Sequence, residues 1–93
     1  MAELDVRLVD EDERAFRLDV SVREEGSETR HRVTVRREDF RELGERFGSP
    51  EAFVRRCFEF LLEREPKEAI LRAFDVREIA RYFPEFPQVI GAP

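Results

Sequence analysis

The sequence predicts an α+β domain, with a three-stranded antiparallel meander followed by three or four short helices packed on one face of the sheet. Two patterns predict it. Apolar and polar residues alternate in three runs within the first 37 residues, and from residue 38 onwards the apolar residues recur at helical spacing. The chain has 93 residues and no internal linker, so we expect one domain, 1–93, with a modest core.

The three alternating runs predict strands at about 3–10, 15–24 and 30–37. One side of each run is apolar and the other is charged, which is typical of an antiparallel sheet covered on one face. The apolar positions are Leu4, Val6 and Leu8, then Phe16, Leu18, Val20 and Val22, then His31, Val33 and Val35.

Charge pairing suggests how the second and third strands align. A four-residue loop at 26–29 sets Glu25 opposite Arg30 and Asp19 opposite Arg36. A two-residue loop would instead set arginine opposite arginine at two positions. Like charges directly opposite each other are unfavourable, so the charges favour the four-residue loop.

Capping and stop signals divide the rest of the chain into helices. Ser49 and Pro50 predict the start of the longest helix, which ends near Arg64 because Pro66 disfavours helical geometry at the residue before it. An acid followed three residues later by glutamate predicts two further starts, at Asp39 and at Asp75. The predicted helices span about 39–47, 50–64, 67–74 and 76–83, and a loose C-terminal tail follows at 85–93.

One segment resembles a known family. The run FEFLLEREPKEAILRAFD at 58–75, with HRVTV at 31–35 and RYFPEF at 81–86, resembles a family of short bacterial proteins of uncharacterised function. The resemblance covers most of residues 30–90 and implies a bacterial origin and a discrete domain. It implies no activity and no catalytic residues.

Composition argues against several classes of protein. The longest apolar runs fall far short of the roughly 20 residues that span a bilayer, so no membrane partner is predicted. The first residues lack the basic region and apolar run of a signal peptide, and a single cysteine cannot form an internal disulfide. We therefore expect a cytoplasmic protein.

Few residues point to catalysis or to metal binding. His31, the only histidine, could act as a general base if a polar cleft adjoined it, but a packed ring is the expected outcome. Cys57 lies among apolar helix residues and is expected to be a buried, unreactive thiol. The acidic run 10–13 lacks the glycine of a calcium loop. We predict no catalytic residues, no metal, no cofactor and no identifiable small-molecule substrate.

The arginines of strand three are the only signal for nucleic-acid binding. Arg30, Arg32 and Arg36 share one face of the strand and could follow phosphate groups. No aromatic residue lies between them to stack on bases, and the chain as a whole carries a net charge of −5. Nucleic-acid binding is therefore the first alternative function, and an enzyme that uses His31 is the second.

The longest helix carries more apolar surface than one contact needs. Its apolar residues cover an arc of about 200°, whereas a stripe of about 100° suffices for a helix on one core. Either helices and sheet wrap it from both sides, or part of the arc meets another subunit. We expect a non-enzymatic protein-interaction or oligomerisation module, with a homodimer favoured. The candidate contacts are Phe58, Leu62 and, in the tail, Phe86.

Overall fold

A four-stranded sheet forms one layer of the molecule. The computed structural model describes residues 2–91, and the strands lie in the order β1-β2-β3-β4. They are β1 (Glu3–Glu11), β2 (Ala15–Glu24), β3 (Ser27–Arg36) and β4 (Ala73–Asp75). The first three form the predicted antiparallel meander, and β4 pairs with β3 in parallel. The α+β prediction is confirmed.

Short helices and helical turns form the second layer. Between β3 and β4 lie α1 (Arg37–Asp39), a π-helical turn (Phe40–Gly44), a 3₁₀ turn (Glu45–Phe47), α2 (Pro50–Leu62) and a second 3₁₀ turn (Lys67–Ala69). After β4 come a third 3₁₀ turn (Val76–Glu78), α3 (Ile79–Tyr82) and α4 (Phe86–Gly91).

Helix α2 is the centre of the core. It begins as predicted, since Ser49 Oγ accepts from the Ala52 N–H at 3.1 Å and Pro50 occupies the first turn. Six of its apolar residues are buried: Phe53, Val54, Cys57, Phe58, Phe60 and Leu61. Aromatic rings from segments before and after the helix pack around them: Phe40, Phe83 and Phe86. The wide apolar arc is therefore largely covered within this chain.

The predicted alignment of β2 with β3 is wrong. Glu24 pairs with Ser27, so the turn contains only Glu25 and Gly26, which have φ angles of 52° and 80°. Two positive φ values belong to the two-residue turn that suits the twist of a hairpin. Opposite charges still face each other, but Asp19 lies opposite Arg32 instead of Arg36. No two like charges lie opposite each other in this register, as the prediction required. The loop, at 25–26 instead of 26–29, is shorter and starts one residue earlier than predicted.

The helix predicted at 67–74 is also wrong. Only Lys67–Ala69 form a helical turn, and Ala73–Asp75 become β4. These residues bond to the open edge of β3 instead. The Arg32 N–H donates to the Arg72 carbonyl at 2.7 Å, and residues 73–75 then pair with residues 32–34 of β3. Hydrogen bonds to a distant strand outweigh the local helical spacing.

Two smaller expectations differ from the structure. Asp39 makes no capping hydrogen bond; its buried carboxylate accepts from the Arg77 Nε–H at 3.0 and 3.2 Å, which connects α1 to the turn after β4. The tail is not loose over residues 85–91, because Phe86–Gly91 form α4 with Phe86 and Ile90 buried. Residues 92–93 lie outside the described range. The predicted cap pair of Asp75 and Glu78 is confirmed.

Candidate interaction surface

Strand β1 forms an edge of the sheet. It is nine residues long, contains no proline, and pairs only with β2; within residues 2–91 no strand lies along its other side. A β-bulge between Leu8 and Asp10 ends the regular part and leaves Val9 43% exposed. An edge of this length presents a row of backbone groups to a partner strand.

Sheet geometry shows which backbone groups point outwards. The Arg37 N–H donates to the Arg14 carbonyl in line with the β2–β3 register, so the even-numbered residues of β2 bond to β3 and the odd-numbered ones to β1. In β1 the odd-numbered residues therefore bond to β2. The N–H and C=O groups that face the open edge belong to Leu4, Val6 and Leu8.

The same three side chains are incompletely covered. Leu4, Val6 and Leu8 are all half-buried, although they lie on the apolar face and α2 packs close to β1. Their cross-strand neighbours on β2 are at most 1% exposed: Val22, Val20 and Leu18. The core is therefore closed over the middle of the sheet and open along the β1 edge.

The outer face of β1 is charged. Glu3, Asp5 and Arg7 alternate with the apolar residues, and all three are exposed. Arg7 lies opposite Asp19 on β2, and Asp5 lies opposite Ser21. Along β1 the outward side chains are therefore two acids followed by one base. A partner strand would meet these charges in a different order if it ran parallel to β1 than if it ran antiparallel.

A second exposed apolar surface lies at the other side of the molecule. A shallow groove of about 110 Å³ runs between α2, β4 and α3. Two of the three exposed large apolar residues among those described line it, Leu71 and Tyr82, and the third is Val9 on β1. Glu65 also lines the groove, and burial raises the pKa of its carboxyl group.

The residues predicted as contacts lie elsewhere. Phe58 is 0% and Phe86 is 1% exposed, so both belong to the core of this chain. Phe58 packs against His31 and Phe74, and Phe86 packs against Phe60. Leu62 is half-buried at the end of α2. Phe58 and Phe86 therefore contribute to the core of this chain, and half-buried apolar side chains lie along the open edge at β1.

Each arginine of the predicted nucleic-acid row has an acidic partner. Arg30 pairs with Glu28 at 2.7 Å, Arg32 with Asp19, and Arg36 with Asp75 at 3.1 Å. These pairs are solvent-exposed and individually weak. They nevertheless balance the row, because each positive charge lies beside a carboxylate.

His31 is packed as expected. The residue is 4% exposed, its ring lies 5.4 Å from the Phe58 ring, and both ring nitrogens have hydrogen-bond partners. Nδ1 lies 2.7 Å from the Leu71 carbonyl and Nε2 lies 2.8 Å from Thr29 Oγ1. In the neutral ring Nδ1–H donates and Nε2 accepts. Burial lowers the pKa of His31, although the bond to the Leu71 carbonyl opposes this.

The other candidate groups are also bound internally. Cys57 is fully buried, and burial raises the pKa of its thiol. In the acidic run, Asp12 Oδ1 accepts from the Arg14 and Ala15 N–H groups at 2.8 and 3.0 Å, which lowers the pKa of Asp12. Among residues 2–91 no group of three or more histidine, cysteine or acidic side chains could hold a metal ion.

The position of β1 at the edge of the sheet can be predicted from the sequence. The first strand of a meander lies at the edge of the sheet, and the run at 3–10 contains neither proline nor lysine, two residues that protect edges.

No helix within residues 2–91 has the length and apolar character needed to cross a bilayer.

Comparison with protein-family models, with curated proteins and with solved structures finds no match to this chain. The family resemblance of residues 30–90 therefore stays a prediction.

Proposed function

We propose that this chain is a non-enzymatic protein-interaction module that binds its partner along the open edge of β1. One observation carries the proposal: the apolar residues of β1 are half-buried where their neighbours on β2 are fully buried. Removing the remaining apolar area from water would favour association by about 25 cal/mol per Å². A strand added beside β1 would cover that area.

The backbone of β1 is suited to strand addition. In this binding mode main-chain hydrogen bonds supply affinity, and the alternate side chains supply specificity. Leu4, Val6 and Leu8 direct their N–H and C=O groups to the edge, and the same residues supply the apolar surface. Glu3, Asp5 and Arg7 lie on the other face, where they would set the direction of the partner strand.

The two alternative functions have weaker support. The arginines of β3 each lie beside a carboxylate, which lowers the positive charge available to phosphate groups. The nitrogens of His31 are both engaged and its ring is enclosed, which leaves no free imidazole nitrogen for acid–base chemistry. As part of the same proposal we expect the module to act in the bacterial cytoplasm, since a single buried thiol needs no oxidising compartment.

The test is affinity purification with an edge-blocked variant. Val6→Pro removes an N–H group that faces the open edge and no bond of the β1–β2 ladder, and proline is tolerated at such edge positions. Tyr82→Ser is the matched control, because it removes an exposed apolar side chain, 64% exposed, from the groove on the other side of the molecule. Tagged wild type and both variants are expressed in the native host.

We expect a companion chain, of the same or of another sequence, to purify with wild type and Tyr82→Ser and to be lost with Val6→Pro. In the bound form, amide hydrogen exchange at residues 4, 6 and 8 should slow, while residues 5 and 7 are protected in both forms. Equal recovery with Val6→Pro and wild type, or fast exchange at residues 4, 6 and 8 under all conditions, would overturn the proposal.

A further inference from the structure

We infer that the partner at the β1 edge is a second copy of this chain, bound antiparallel about a two-fold axis that passes beside Val6. The inference rests on the proposed function, and it adds the partner and the register. Its basis is that the charges and apolar residues of β1 are complementary to themselves in one alignment only.

The alignment follows from the geometry of an edge. Two antiparallel strands in one sheet keep apolar residues on the same face only when paired residues have the same parity. With the axis beside Val6, Val6 pairs with Val6 of the second copy, and Leu4 pairs with Leu8. These are the residues whose N–H and C=O groups face the edge, so each of the three pairs exchanges two hydrogen bonds, about six in all.

The charged face selects the same alignment. With the axis beside Val6, Asp5 of each copy lies opposite Arg7 of the other, which creates two ion pairs related by symmetry. Asp5 and Arg7 then form the non-hydrogen-bonded pairs, in which side chains approach more closely. An axis beside Asp5 or beside Arg7 would instead place two identical charges side by side, and an axis beside Leu4 would set Glu3 opposite Asp5.

The pairing also completes the core. A two-fold axis perpendicular to the sheet keeps both helical layers on the same face, so the apolar residues of β1 become neighbours of their own copies. The result is one continuous eight-stranded sheet in which β1 of each chain is central. Leu4, Val6 and Leu8 would then become as buried as the residues that face them on β2.

Charge exchange tests the register directly. Asp5→Arg sets two arginines opposite each other at both sites, and Arg7→Asp sets two aspartates opposite each other. Wild type should be dimeric by sedimentation velocity across a dilution series, and each single variant should dimerise at least tenfold more weakly. The double variant Asp5→Arg/Arg7→Asp should recover the wild-type dissociation constant. An equimolar mixture of the two single variants should form a one-to-one heterodimer.

Matched controls separate this from general charge effects. Glu3→Arg changes the net charge as Asp5→Arg does, but Glu3 faces Val9 of the second copy in the proposed register, so its dissociation constant should match wild type. Thermal unfolding followed by circular dichroism confirms that each variant is folded. Val6→Pro should be monomeric.

The outcomes distinguish the two proposals. A wild-type monomer at millimolar concentration, together with another protein that binds in a Val6-dependent manner, overturns the second copy as partner and leaves the edge as binding site. A dimer that Val6→Pro abolishes but single charge reversals leave intact overturns the register. A dimer that survives Val6→Pro overturns both.

Discussion

Gly44 provides the sharpest test of the helical layer, because it is a point where the core has no room. A Cβ added at this position would lie 2.6 and 2.7 Å from two atoms of the Phe53 ring and 2.7 Å from an atom of the Phe40 ring. Carbon atoms in favourable contact are about 3.5–4.0 Å apart, so the rings would have to move by roughly 1 Å. The backbone is not the obstacle, since φ at Gly44 is −111°.

Both rings have an aromatic neighbour. Phe40 is held at 5.6 Å by the ring of Phe16 on β2, and Phe53 is stacked at 6.1 Å on Phe47. Forcing an extra carbon into such a core costs about 1–3 kcal/mol. Replacing glycine by alanine also returns about 0.4–1 kcal/mol by restricting the unfolded chain, so we expect Gly44→Ala to lower the free energy of unfolding by about 1–2 kcal/mol.

Urea denaturation followed by circular dichroism measures this change, and the melting temperature should fall by roughly 5–15 °C. Gly91→Ala is the matched control: it makes the same chemical change at the end of α4, where nothing lies within 4 Å of the added carbon, so it should raise the free energy of unfolding by about 0.4–1 kcal/mol. Replacing the Phe53 ring by a smaller side chain, in Phe53→Leu, should reduce the loss of stability that Gly44→Ala causes. A Gly44→Ala variant as stable as wild type would refute the packing described for this turn.

Three further predictions concern single residues. Cys57 should react with a thiol reagent only through unfolding, so the labelling rate should rise with urea in parallel with the unfolded fraction; rapid labelling of the native protein would contradict its burial. Glu25→Asn should raise the free energy of unfolding by about 0.5–1 kcal/mol, and with it the urea midpoint, because φ at Glu25 is 52° and asparagine adopts this conformation more readily than glutamate. A lower midpoint would count against the two-residue turn. The pKa of His31 is lowered in the folded state, so the unfolded chain binds a proton more readily, and stability present above the unfolded value of about 6.5 should be lost as the pH falls below it. In His31→Gln the difference in stability between pH 7.5 and pH 5.5 should be smaller than in wild type, and an equal or larger difference would show that His31 is not the group responsible.

Local patterns determined the three long strands and the central helix. Period-two alternation placed Val20, Val33 and His31 on the covered face, because side chains on a strand point to opposite faces in turn. Ser49 and the pair of Asp75 and Glu78 form helix caps from residues within three positions of each other. Such contacts depend on neighbours in sequence, so the sequence alone was sufficient.

Contacts between distant residues determined the rest. Residues 73–75 have helical spacing but become β4, because the open side of β3, some forty positions earlier in the chain, offers hydrogen bonds that a helix there would forgo. Residues 86–91 become a helix because Phe86 and Ile90 fill space beside α2. The sequence by itself determined that the helix at 50–62 carries a broad apolar surface. Only the tertiary structure decided that this surface is covered from within, and that β1 is left half-covered, because coverage depends on how far the helical layer extends across the sheet.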